Sequence, residues 1–177
     1  PGKTGDLSLI QRPIPATGEL LPVMGMGTSR TFDTAPDAES LANLTAVMQA
    51  FFSGGGSAID SSPMYGQAES RVGDVLRAMT STPKLFAATK VWTTGREQGI
   101  AQMQASARRM NVQKIDVIAV DKLKDWQSHL DNLQAWKKDG MVRYICITTS
   151  QGRDHDQLLD VMRMEPLDFV QFSYNME

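Results

Sequence analysis

Two hydrophobic rhythms take turns along this chain. In residues 37–52, Leu41, Leu44, Val47, Met48 and Phe51 recur at three- and four-residue spacing, the stripe of an amphipathic helix, which Gly54-Gly55-Gly56 stops. The same period returns in residues 68–79, where Val72, Val75, Leu76 and Met79 share a face. It predicts further helices over about 97–110, 126–138 and 155–164. Short apolar runs separate these stripes at 21–27, 57–60, 85–90, 115–120, 142–147 and 169–172. The run at 115–120 is nearly continuous, the mark of a strand covered on both faces.

Strands that alternate with helices across short loops predict an α/β fold, with a parallel sheet built from right-handed βαβ units. Six such strands and five helices leave two architectures, an open doubly wound sheet and a (β/α)8 barrel. Gly25-Met26-Gly27-Thr28-Ser29-Arg30 lacks the third glycine of a dinucleotide fingerprint, which weighs against the first. Thr28, Asp60, Lys90, Asp121, Thr148 and Gln171 all fall at strand C-terminal ends, where a barrel carries its chemistry. The expected fold is thus a TIM-type barrel with about six of its strands present. Ahead of it, apolar segments flanking Pro15-Ala16-Thr17-Gly18 predict a hairpin or arm over 1–20, with the partial barrel over 21–177.

Composition narrows the partners. The 177 residues are 41% hydrophobic with a formal net charge of -2, as expected of a soluble globular protein with one core. The 18 basic residues are scattered and form no stripe for a phosphate backbone, so no nucleic-acid partner is expected. No apolar run approaches the roughly 18 residues of a membrane span. Cys146 is the sole cysteine, which excludes an internal disulfide, and its apolar surroundings predict a small buried hydrophobe. The chain begins at Pro1 rather than Met. That keeps a removed leader, and with it the periplasm, open beside the default of the cytoplasm.

The candidate chemistry centres on Ala58-Ile59-Asp60-Ser61-Ser62-Pro63-Met64-Tyr65-Gly66. It sets a carboxylate at a strand end and a phenol five positions later. A phenol, with an ordinary pKa near ~10, donates a proton readily at neutral pH only beside a cation. Lys90, at the end of the next strand, is the candidate cation, with Asp60 holding it charged and oriented. A plainer reading makes this a loop in which Asp60 caps a helix and Tyr65 packs on the surface.

Taken together, Gly25-Met26-Gly27-Thr28, the stretch Ile59 to Gly66, Ala88-Thr89-Lys90-Val91-Trp92, Lys114-Ile115-Asp116 and Pro166 to Asn175 resemble, in order and spacing, the aldo-keto reductase family. The resemblance implies a (β/α)8 barrel that reduces aldehydes or ketones with NADPH. It assigns proton donation to Tyr65, assisted by Lys90 and Asp60. It places Gly27, Thr28, Thr148 and Gln171 against the ribose and nicotinamide of the cofactor, and Trp92 in the substrate pocket, although a structural tryptophan fits Trp92 equally well.

The chain departs from the family pattern in several respects, among them Cys146 where relatives tend to have glycine and Thr148-Thr149 in place of the usual polar pair. Where the family has a catalytic histidine at the end of the fourth strand, Ala119-Val120-Asp121-Lys122 offers Asp121, which is acceptor-only when ionised and could compete with Asp60 for Lys90. His129 and His155 lie in later helices, as solvated or packing residues. A complete barrel takes about 250 residues, so the last two βα units of the family lie outside this sequence, and its strand edges call for a covering homo-oligomer or complementing fragment. A catalytically impaired scaffold serving as a binding or assembly module is therefore the alternative to a reductase. A divalent metal held by Asp60 and Asp121 is a third reading, weakened by the lack of accompanying histidine ligands.

Overall fold

The computed structural model describes residues 9–80 and 84–174. Asn175, at the end of the last family motif, lies outside them. A hairpin comes first, with β1 (Gln11–Pro13) antiparallel to β2 (Leu20–Pro22). Then follow β3 (Gly25–Gly27), α1 (Ala38–Ser53), β4 (Ala58–Asp60), α2 (Ala68–Ala78), β5 (Phe86–Val91), α3 (Arg96–Arg109), β6 (Ile115–Asp121), α4 (Trp126–Lys138), β7 (Val142–Thr148), α5 (His155–Met164) and β8 (Phe169–Gln171). Strands β3 to β8 form one parallel sheet in sequence order, curled as part of a (β/α)8 barrel. Among the described residues, β3 and β8 each have one strand neighbour.

The helical stripes lie where the sequence puts them. Asp37 caps α1 by accepting from the Ser40 N–H at 2.8 Å, satisfying a donor that the first helical turn leaves free. One strand differs from expectation: the apolar run 21–27 divides between two sheets. Leu20–Pro22 pair with Gln11–Pro13, and Val23 donates to the Ile10 carbonyl, extending the hairpin, so that only Gly25–Gly27 joins the barrel. Val23 and Met24, at the crossing, are exposed.

Alternation along the strands builds two layers of core. Outward residues such as Val91, Ile118, Val120, Ile145 and Ile147 pack under α3, α4 and α5, while Ile59 and Ala87 pack under α1 and α2. Inward residues Phe86, Val117, Ala119, Tyr144 and Cys146 form a separate cluster with Ile14 of the hairpin. Each fully buried aliphatic side chain contributes roughly 1.5–3 kcal/mol, so the double layer explains why β6 is apolar on both faces.

The N-terminal end of the barrel is plugged. Tyr144 packs against Phe86 and Phe169, with ring centroids 5.8 and 5.5 Å away, and its hydroxyl donates to Glu19 at 2.7 Å. Arg143 links Glu19 of the hairpin to Asp116 of β6. The hairpin is thereby clamped under the sheet, and the candidate residues lie at the opposite rim.

Candidate active site

Asp60 ends β4, and the register that pairs it with Ala88 sets Lys90 one inward position further along β5. The Lys90 ammonium donates to both Asp60 carboxylate oxygens and to the Ser61 carbonyl oxygen, each at 2.8 Å. An ammonium has three N–H donors, and three acceptors surround this one. The Asp60 carboxylate is thus committed to Lys90, which sets aside its reading as a helix cap; the N-cap of α2 is Gln67.

Tyr65 reaches the pair through a tight turn. Its N–H donates to the Ser62 carbonyl oxygen at 3.1 Å, and the Met64 N–H donates to Ser62 Oγ at 3.2 Å. Asp33, from the loop after β3, accepts from the Gln67 N–H at 2.8 Å and fills the space where a Cβ on Gly66 would stand. Gly66 has φ 55°, a conformation that favours glycine. The result places the Tyr65 ring centroid 5.1 Å from the Lys90 nitrogen, within cation–π range. With its N–H groups directed at Asp60 and Ser61, the ammonium acts on the aromatic ring through its field.

Asp121 ends β6 in a row of register partners with Thr148 and Gln171. Burial pushes its carboxyl above the ordinary 3.8, against the opposing pull of the Lys90 and Lys122 charges. Because the Lys90 donors go to Asp60 and Ser61, the expected competition between the two carboxylates is resolved in favour of Asp60.

Tyr65, Lys90, Trp92, Asp121, Thr148 and Gln171 line one cavity of about 620 Å³. Gly27 and Asp60 line an adjoining apolar groove of about 380 Å³ inside the curled sheet, which shares Gln171 with the cavity. Thr28 is fully buried and lines neither; its hydroxyl donates to the Asp60 carbonyl oxygen at 3.0 Å and lies 2.9 Å from Ser61 Oγ. The Trp92 ring meets the Lys124 ammonium 4.1 Å from its centroid.

The remaining candidates pack. His129 is fully buried with Nε2 donating to the Thr93 carbonyl at 2.9 Å, and His155 lies edge-on to Phe172. Cys146 lines the inner groove, where burial pushes its thiol up to about 12, far from a nucleophile's range. Among the described residues, no group of three His, Cys, Asp or Glu side chains is placed to hold a metal ion, and no helix is long and apolar enough to cross a membrane.

The family model for the aldo/keto reductase family matches residues 23–177. The chain belongs to the aldo-keto reductase family. Solved structures agree on the fold. A thermostable aldo-keto reductase in complex with the inhibitor epalrestat superposes with a TM-score of 0.77 at 21% identity, over 96% of this chain and 64% of that one. The Bombyx mori aldo-keto reductase in complex with NADP gives 0.69 at 19% identity, over 95% and 59%. One from Klebsiella pneumoniae in complex with NADPH gives 0.69 at 19%, over 86% and 54%. The chain therefore spans between about half and two thirds of the length of these three proteins. A search of curated proteins found no match.

Sequence reasoning missed the residues that set the turn and the rim. Asp33 left no local signal, because its partners Gly66 and Gln67 lie more than thirty residues away and the contact exists only after β3 and β4 pair. Arg30 and Lys122 also line the cavity and were not singled out.

Proposed function

We propose that this protein is an NADPH-dependent oxidoreductase that reduces an aldehyde or ketone, with Tyr65 as proton donor. The observation that carries the reading is the arrangement of Lys90 between Asp60 and the Tyr65 ring at the rim of a cavity that Gln171 and Thr148 also line.

The mouth fits the nicotinamide end of the cofactor. Gln171 is exposed and offers an amide that can pair with a carboxamide, and a Cβ built on Gly27 would meet nothing within 4 Å, which leaves room for a flat group to approach the backbone. NADPH, when bound, supplies the hydride. Tyr65 gives its proton to the carbonyl oxygen as that oxygen gains charge, and the Lys90 ammonium stabilises the phenolate left behind. Asp60 fixes the ammonium in place, and its 36% exposure keeps the pair in contact with solvent, from which Tyr65 is reprotonated. Trp92 forms an apolar wall for the substrate.

A second reading, a scaffold without turnover, is favoured by Asp121, which stands where the family uses a histidine. NADPH oxidation with a panel of aldehydes separates the two. The reductase reading expects turnover that Tyr65→Phe abolishes and that Asp121→His raises; absence of both turnover and NADPH binding in parent and Asp121→His alike would leave the scaffold. We also propose that a second copy or a complementing polypeptide covers β3 and β8, which among the described residues each have a free strand edge, since such edges beside an apolar groove favour association. Size-exclusion chromatography tests this: a stable monomer at micromolar concentration contradicts it.

A further inference from the structure

The loop after β6 adopts a backbone that its residues disfavour. Lys122 and Leu123 have φ of 51° and 52°, and the Lys124 N–H donates to the Asp121 carbonyl at 3.1 Å. Two consecutive left-handed residues closed by such a bond correspond to a type I′ turn, which ordinarily takes Gly, Asn or Asp. Lys and Leu pay roughly 1–2 kcal/mol each to be there. Packing holds the turn: Leu123 is 6% exposed and belongs to the cluster under α3 and α4. With Leu123 anchored inward, Lys122 is left exposed on the cavity rim.

Lys122 is not alone there. Arg30, also left-handed at φ 65°, lines the same cavity from the loop after β3. Among the described residues, neither side chain has an ion-pair or hydrogen-bond partner, unlike Lys90, whose charge is met by Asp60. Among the described residues, the only acidic side chain lining the cavity is Asp121, whose carboxyl burial pushes above its ordinary value against the pull of Lys90 and Lys122. The mouth thus holds two cations without an ion-pair partner among the described residues, both on left-handed backbone, and such strain persists only where the surrounding structure maintains it.

From this arrangement we infer that Lys122, with Arg30, selects carbonyl substrates that also carry a carboxylate. The inference rests on the reductase reading above and names its substrate class. The carboxylate pairs with the Lys122 ammonium at the rim while the carbonyl lies deeper, beside Tyr65. Neutral aldehydes can enter but lack this anchor. Because the rim is solvated, the pairing weakens as salt screens it.

The test compares kcat/KM for 4-carboxybenzaldehyde and benzaldehyde in the parent, Lys122→Gly and Lys122→Glu, with benzoate binding followed by NMR in parallel. Glycine suits the turn, so Lys122→Gly is expected to raise the melting temperature while the preference for the carboxylated aldehyde falls about fivefold, the upper range for a solvated ion pair. Lys122→Glu is expected to lower that preference further, and added salt to erode it in the parent only. A preference unchanged in both variants, or a loss confined to NADPH affinity, would overturn the inference. If the parent turns over neither aldehyde, the reductase reading fails, and benzoate then decides the rim by itself: binding weakened by Lys122→Gly supports the anionic subsite, and binding that is absent or indifferent to the substitution refutes it.

Discussion

Thr89 and Lys90 are neighbours in β5 that serve opposite faces of the sheet. The Thr89 hydroxyl donates to Glu69 Oε1 at 2.6 Å on the helix side, where the partly exposed Arg109 completes an ion pair with the same buried carboxylate at 2.6 Å, while Lys90 turns inward to Asp60. One strand thus joins a structural charge network to the candidate catalytic one through the alternation of its side chains.

The Lys90–Asp60 pair is buried unequally: the lysine side chain is 4% exposed and the carboxylate 36%. Removing the acid strands an ammonium in the interior, whereas removing the amine leaves a carboxylate that water can reach. Asp60→Leu is therefore expected to cost about 3–5 kcal/mol, as for breaking a buried pair, and Lys90→Met roughly half of that. Urea unfolding of the two variants measures the difference. Equal losses would contradict this account of the pair.

Two glycines make a second contrast. A Cβ on Gly73 of α2 would overlap the Arg109 carbonyl oxygen at the end of α3, a backbone atom that cannot swing aside, whereas a Cβ on Gly27 meets nothing within 4 Å. Gly73→Ala is expected to destabilise by about 1–3 kcal/mol through overpacking. Gly27→Ala should leave stability within about 0.5 kcal/mol while weakening NADPH binding. Thermal melts and fluorescence titration with NADPH check the pair.

Acid acts on two carboxyls with opposite sign. Hydrogen bonding from Tyr144, aided by Arg143, holds Glu19 below its ordinary 4.5, so the stability it lends the hairpin clamp is present above pH 4.5 and lost as pH falls through its folded value. Burial holds Asp121 above 3.8, so its contribution is present below pH 3.8 and lost as pH rises through its folded value. Asp121→Asn is expected to stabilise the protein at pH 7, with the gain shrinking toward pH 4. Glu19→Gln is expected to flatten the acid limb of the stability curve. Denaturant midpoints between pH 3 and 8 measure both.

The periodic elements could be read from the chain because the stripe of α4 or α5 is a local property. Trp126–Lys138 and His155–Met164 depend on spacing and stop signals within a few turns, and their limits need no knowledge of neighbours. The placement of the candidate residues was legible to the same depth. Asp60, Tyr65 and Lys90 belong to recognisable motifs, and strand order alone brings them to one end of the sheet.

What only the tertiary structure decided concerns choices among partners. The sequence presents Lys90 with two carboxylates, and the register of β4 against β5 settles on Asp60. It presents 21–27 as a single run, and the hairpin takes its first part, where Leu20–Pro22 pair with Gln11–Pro13 and Val23 donates to Ile10. The protonation bias of Asp121 and the strained rim at Lys122 likewise depend on burial and on the anchoring of Leu123, which are set by residues distant in the chain. Periodicity determines which elements form; register and desolvation, which are properties of the assembled sheet, determine which charges meet.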